Sequence, residues 1–192
     1  MYSHSAQQAG NFARISVKPA ETPRFQQTGS ETINMMGAAV PFSPNEEIYG
    51  EGEPADYLYK VANGAVRTYK VLSDGRRQIS AFYLSGDMFG LEMGAEHSFS
   101  AEAISEAKVL VIKRTAILAL AARESDVARQ LWVATSRELE RMQNPTMLLI
   151  KTAQERVATF LLEMADRIRT TNDVQLPMTR QDIADYLGLT IE

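Results

Sequence analysis

The residues best suited to chemistry lie in the last sixteen positions, Pro177-Met178-Thr179-Arg180-Gln181-Asp182-Ile183-Ala184-Asp185-Tyr186-Leu187-Gly188-Leu189-Thr190-Ile191-Glu192. Thr179, Arg180 and Gln181 bring a hydroxyl, a guanidinium and an amide to what reads as a helix N-terminus, a set of donors suited to phosphate oxygens. Thr179 can cap the helix, Ile183 and Leu187 lie four apart on one face, and Ala184 is small where a second helix must approach. Gly188 permits a left-handed turn and Thr190 can cap whatever helix follows. The pattern predicts the first half of a helix-turn-helix, whose second helix would enter a DNA major groove. A short surface helix closed by a glycine has the same residues, and the segment by itself leaves both readings open.

Other chemistries lack their residue types. The 192-residue chain has no cysteine and two histidines, His4 and His97. Thiolate nucleophiles, Cys-ligated zinc, disulfide scaffolds and cysteine-held iron–sulfur clusters are therefore excluded, and so is a multi-histidine metal centre. No nucleophile, base and orienting group occur as a set, and a metal-dependent cupin enzyme fails for want of ligands. The expectation is a protein that is not an enzyme. With 20 Lys+Arg against 24 Asp+Glu the formal charge is -4, which argues against general polyanion binding and throws any DNA contact onto a local motif. No apolar stretch approaches the ~20 residues of a membrane span and no signal peptide is evident, so a cytoplasmic location without membrane contact is expected.

The elements that would hold the motif follow from texture. Residues 1–32 are rich in Gln, Ser, Ala, Thr and Pro and read as a flexible arm. Residues 33–113 alternate short apolar runs with glycine: Tyr57 to Val61, Ala65 to Val71, Gln78 to Tyr83 and Lys108 to Lys113 have strand character, and Asp74-Gly75 suits a hairpin turn. Residues 114–149 are helical in composition, with a start at Ser125-Asp126 and an expected kink or break at Asn144-Pro145. Residues 150–192 begin with an amphipathic segment from Ala153 to Arg169, carrying Val157, Phe160, Leu161, Met164 and Ile168 on one face, and end in the motif above.

In this order the parts resemble the family of the cyclic AMP receptor protein and the fumarate and nitrate reduction regulator, the Crp/Fnr family, and most closely its FixK-like branch. The resemblance rests on the series Ile48 to Arg67, on Gly86-Asp87-Met88-Phe89-Gly90-Leu91-Glu92, and on Ala153 to Leu161 followed by the helix-turn-helix start. It implies an α+β chain: an N-terminal double-stranded, jelly-roll-like β-roll, a long dimerisation helix and a C-terminal winged helix-turn-helix. It also implies a transcription regulator that binds an inverted repeat of double-stranded DNA as a homodimer and contacts RNA polymerase. The family's cyclic-nucleotide binders carry a glutamate for the ribose and an arginine-serine pair for the phosphate; here Leu91 and Phe99-Ser100 stand in those places. Gly90, Leu91, Glu92, Phe99 and Ser100 thus outline a vestigial effector pocket that Leu91 and Phe99 would fill. Neither cyclic AMP nor an iron–sulfur cluster is expected, so no cofactor is. The alternative, a β-roll sensor module answering an unidentified small ligand, would be separated from the regulator by ligand-induced thermal stabilisation.

By the same resemblance Thr179, Arg180 and Gln181 match contacts to backbone phosphates, Thr190 opens the recognition helix, and Glu192 matches the glutamate that accepts from a cytosine amino group. Capping for Thr179 and plain solvent exposure for the others are the competing roles. Residues 151–192 carry five basic and seven acidic side chains, so this stretch is expected to bind DNA poorly unless the protein continues through a recognition helix and wing. Val127, Leu131, Thr135, Leu139 and Met142 recur at three and four residue steps and form the expected dimer seam, with Trp132 beside it packing toward the β-roll; the same stripe packing within one chain against the β-roll is the competing role. His97 reads as a solvated loop residue, and Met88, Met93, Met142, Met147 and Met164 as fillers of core or interface gaps.

Overall fold

The computed structural model describes residues 26–148, 150–168 and 175–190. Among the described residues eight strands make two four-stranded antiparallel sheets. The first has the order β1 (Ala38–Phe42), β8 (Ala107–Lys113), β3 (Tyr57–Asn63), β6 (Met88–Phe89). The second has the order β2 (Glu47–Tyr49), β7 (Ser100–Ala103), β4 (Ala65–Val71), β5 (Arg77–Leu84). Tyr49, Tyr59, Val61, Val66, Tyr83, Phe89 and Val109 fill the space between them, with ring centroids 5.0 Å apart for Tyr49–Tyr59 and 5.1 Å for Tyr59–Phe89. Asp74-Gly75 turns β4 into β5: Gly75 sits at φ +83° and the Leu72 N–H reaches the Arg76 carbonyl at 2.8 Å.

The β4–β5 ladder contains a bulge. Ala81 pairs with Thr68 and Ile79 with Tyr69, so Ser80 is the extra residue. In an unbroken strand Ile79 and Phe82 would point to opposite faces; the bulge turns both outward, while Ala81 and Tyr83 stay in the inter-sheet core. The outer face of the second sheet thereby becomes apolar and can carry another layer.

Two helical layers cover the sandwich. On the first sheet lie α1 (Gln26–Met36), α2 (Arg114–Ala121) and α3 (Ser125–Leu148), joined through Ile33, Leu58, Leu110, Ile112, Ile117 and Val127, all buried. On the second sheet lie α4 (Ala153–Ile168) and α5 (Arg180–Leu187), where Ile79 and Phe82 meet Phe160, Met164, Met178, Tyr186 and Leu187.

Several sequence expectations change here. The stretch expected as a flexible arm includes the start of α1, because Ile33 and Met36 pack into the core under α3. The helix does not break at Asn144-Pro145 but runs to Leu148; proline there removes one hydrogen bond close to the helix end, where little remains to be disrupted. Val127 is wholly buried and Leu131 packs beside it, so this part of the expected seam faces the core instead. Trp132 does not pack on the β-roll; it is 73% exposed, with Leu139 58% and Met142 54% exposed. Of the methionines, Met88 and Met164 are buried whereas Met93 is fully in solvent, and the side chain of Met147 lies outside the described residues.

His97 is also corrected, from a solvated loop residue to a buried one. Its backbone is tied to Gly52 and Glu53 by bonds of 2.9 and 2.8 Å, and its ring stacks on Tyr49 with centroids 3.7 Å apart. Burial lowers the imidazole's affinity for a proton, against the pull of Glu92, whose Oε2 lies 3.5 Å from Nδ1. The unfolded chain takes up this proton near pH ~6.5 and the folded chain only at lower pH, so acidification favours unfolding. The melting temperature should fall as pH drops from about 7.5 to about 5.5, and fall less in His97→Gln; equal slopes in circular-dichroism melts would remove His97 as the cause.

Candidate nucleic-acid interface

The motif helix α5 is closed at both ends as its residues require. Thr179 accepts from the Asp182 N–H at 3.1 Å while the Asp182 carboxylate takes the Thr179 N–H at 3.0 Å, a reciprocal capping box. Gly188 sits at φ +64° and its N–H returns to the Ala184 carbonyl. Arg180 and Gln181, the first two residues of the helix, project into solvent beside exposed Thr179; Gln181 gives one bond of 2.7 Å to Asp185. The Thr179 hydroxyl is spent on the cap, since it also donates to Asp182 Oδ2 at 2.9 Å, so Arg180 and Gln181 supply the exposed side-chain donors at this helix N-terminus, where the backbone dipole also favours an anion. Thr190 follows the glycine turn and is exposed as well. Glu192 lies outside the described residues.

The opposite face of α5 is anchored, and this anchoring was not anticipated from the sequence. Asp182 is 1% exposed. Its Oδ1 takes Arg67 Nη1 at 2.8 Å and Arg77 Nη2 at 2.6 Å. Arg77 also donates to Asp185 Oδ2 at 2.9 Å, and Gln78 donates to the Asp185 carbonyl at 2.8 Å. Arg67, buried on β4, further bonds Glu102 and Asn45. Burial raises the Asp182 pKa, but the Thr179 donors and the two guanidiniums outweigh it, so the carboxyl titrates below the ordinary aspartate range. The alternation Val66-Arg67-Thr68 was the available signal, yet a charged residue on a strand ordinarily means solvent, and the helix that covers it comes more than a hundred residues later.

The effector-pocket residues are brought together in part. Gly90, Leu91, Glu92 and Phe99 line a cavity of about 260 Å³ with Tyr49, Thr68, Ser80 and Tyr83, roofed by Thr135, Glu138, Leu139 and Met142 of α3. Leu91 and Phe99 narrow this space without filling it. Ser100 does not line it; on β7 its hydroxyl accepts the Glu51 N–H at 3.0 Å. The lining carries two carboxylates, Glu92 and Glu138, and no Lys or Arg. A cyclic phosphate does not fit such walls: it would meet like charge and find no charge-assisted donor, a loss of about 1.5–3 kcal/mol per missing bond. Glu138 is already engaged by the Tyr83 hydroxyl at 2.6 Å. Among the described residues no cluster of three or more His, Asp or Glu side chains could hold a metal ion.

Comparison with known proteins places these features in a wider set. Residues 39–124 match the family model of the cyclic nucleotide-binding domain, and residues 155–192 that of the Crp-like helix-turn-helix domain. The chain is 46% identical over 169 residues to the nitrogen fixation regulation protein FixK of Azorhizobium caulinodans, covering 85% of this chain and 68% of that protein. It is 37% identical over 182 residues to FixK of Rhizobium meliloti, covering 94% and 82%. The structure of FixK2 from Bradyrhizobium japonicum superposes with a TM-score of 0.76 at 52% identity, covering 81% of this chain and 79% of that one.

Proposed function

Because the chain belongs to the Crp/Fnr family of DNA-binding transcription regulators, in its FixK-like branch, we propose that it binds an inverted-repeat operator as a homodimer without cyclic AMP or an iron–sulfur cluster. The observation that carries this reading is the exposed Thr179-Arg180-Gln181 cluster at the capped start of α5, followed by the Gly188 turn and Thr190. In it, Arg180 and Gln181 hold backbone phosphates and fix register, with Thr179 capping the helix that presents them, and base reading falls to residues after the turn, Glu192 among them. The absence of cysteine and the acidic cavity support independence from both cofactors. RNA polymerase as a partner and the cytoplasm as the place of action rest on family membership; among the described residues no helix is long and apolar enough to cross a membrane.

Dimerisation is supported by the exposed side of α3. Trp132, Thr135, Leu139 and Met142 recur at steps of three and four residues along a 24-residue helix about 36 Å long, and all four are exposed. A second copy crossing at this stripe would bury it twice over by symmetry. The seam so proposed keeps three of the residues expected from sequence and replaces Val127 and Leu131 with Trp132.

Fluorescence anisotropy with the full-length natural protein tests the DNA reading. Binding should prefer an inverted repeat over a scrambled duplex, and Arg180→Ala should weaken all duplexes alike while reducing the slope of log K against log salt by about 1. Equal affinity of the wild type for both duplexes would overturn the proposal.

A further inference from the structure

Among the described residues the ionic contacts between the β-roll and the motif domain are arranged as two separate pins. The first joins Arg67 and Arg77 of the second sheet to Asp182 and Asp185 of α5. The second is Asp87, in the turn before β6, whose carboxylate is shared between Arg141 of α3 and Arg167 of α4. Arg167 also donates to the Phe82 carbonyl at 2.9 Å. Between the pins lies the apolar contact of Ile79 and Phe82 with Phe160, Met164 and Tyr186. Apolar contact is adhesive but non-directional, so by itself it would let the α4–α5 unit slide or rotate on the sheet. Bonds from planar guanidiniums to buried carboxylates are directional. One pin would leave a pivot. Two pins set the angle, and the second refers that angle to α3, the helix that carries the exposed apolar stripe.

The charges also require each other. Without α5, Arg67 and Arg77 would retain only Glu102 as a partner carboxylate among the residues bonded to them, and Arg67 is 5% exposed. A buried arginine left short of countercharge is costly, so the sheet is built to receive α5 in one register. Arg180 faces solvent outside this contact, and Thr179 and Gln181, also exposed, bond the outer oxygens of Asp182 and Asp185.

We propose that these two pins align the DNA-reading units of the dimer, with Arg67, Arg77 and Asp87 acting as positioning residues that set the half-site spacing the protein accepts. This rests on the inverted-repeat reading above. Two half-sites on DNA must be met about 34 Å apart and on one face of the duplex, and rigidly held units bind both at once whereas loosely held ones tolerate wrong spacing and lose avidity. A fixed orientation needs no ligand to create it, in keeping with a cavity unsuited to a cyclic phosphate.

The test compares operators of natural spacing with operators lengthened by about five base pairs, half a turn. The full-length wild type should prefer the natural spacing by at least about tenfold, a preference that requires simultaneous contact at both half-sites. Arg77→Gln, Asp185→Asn and Asp87→Asn should each shrink that preference, and Arg77→Gln with Asp185→Asn should be no worse than the more severe single change, as expected of one coupled unit. Variants with unchanged spacing preference would overturn the proposal. A second readout does not involve DNA. The chain has no cysteine, so Ser73→Cys and Leu162→Cys, both at exposed positions, can carry a pair of spin labels. Their distance distribution should be narrow in the otherwise native protein and broaden with Arg77→Gln; an equally narrow distribution would overturn the dock even if that variant bound DNA poorly through misfolding. A wild type that shows no preference for inverted repeats overturns the functional reading and the spacing role with it, while the label distances still decide whether the pins orient the domain.

Discussion

Replacing Leu139 by glutamate should convert the protein to a monomer and lower its affinity for an inverted-repeat operator by at least about a hundredfold. Leu139 is 58% exposed in the single chain, between Thr135 and Met142 on the outer stripe of α3, so the substitution leaves the folded monomer intact. In a symmetric dimer each change acts twice. Burying a leucine is worth about 1.5–3 kcal/mol, and a glutamate in its place must be desolvated against its own symmetry mate. Loss of the dimer also removes the second half-site from intramolecular reach, which is worth about 10²–10⁴ in avidity. Sedimentation equilibrium reads the first effect and anisotropy the second; a dimer that persists at micromolar protein would refute the seam. Leu131, which the sequence periodicity selects equally well, is the wrong residue for this test. It packs against the α1–α2 core, and a charge there would damage the fold and blur the result.

The other large effect is expected at Phe160. This ring is 1% exposed, meets Phe82 edge-on with centroids 5.9 Å apart and lies 5.6 Å from Tyr186, so it joins α4, α5 and the outer face of β5 in one contact. Phe160→Ala should cost about 3–5 kcal/mol through lost burial and the cavity left behind. For a chain of this size that is a fall of about 10 °C in melting temperature. The loss should be uneven. Hydrogen exchange should rise in α4 and α5 while the strands around Tyr59, Phe89 and Val109 keep their protection, because that inter-sheet core shares no buried residue with the Phe160 cluster. A uniform loss across β3, β4, β5 and β8 would show instead that the two layers unfold as one unit.

The element order was legible because it is written in local periodicity. The runs Ala65 to Val71 and Gln78 to Tyr83 needed only their alternation and the Asp74-Gly75 turn to be read as a hairpin. Ser125-Asp126 marked the start of α3, and Thr179 and Gly188 marked both ends of α5. The polar arm was harder. Glutamine, serine and threonine are frequent in it, and the two apolar residues that bury α1, Ile33 and Met36, lie just past the arm's expected end at residue 32.

Faces were less legible than elements. In α3, Val127, Leu131, Thr135, Leu139 and Met142 form one continuous pattern, but the first two are claimed by α1 and α2 and the stripe that stays exposed is rotated toward Trp132. A helix repeats every 3.6 residues, so a five-residue ladder in steps of three and four drifts around the axis, and only the neighbours decide where it passes from core to surface. Ser80 shows the same limit in a strand: one bulge moves Ile79 to the face of Phe82 and creates the platform for α4 and α5, with no residue type announcing it.

By itself the sequence determined the kinds of chemistry this protein can do and the order of its parts. It excluded cysteine chemistry and a multi-histidine metal centre, placed a run of donors before a glycine turn, and, through the family resemblance, put leucine and phenylalanine where cyclic-nucleotide binders carry a ribose-binding glutamate and a phosphate-binding arginine. Only the tertiary structure decided that Arg67 is buried, that Asp182 answers it, and that His97 lies against Tyr49 instead of in solvent. Residue type and spacing specify which backbone conformation is cheap and which side chains can share a face. Whether a charged or aromatic group on that face meets water or protein depends on a segment far away in the chain, and for Arg67 that segment is the motif helix itself.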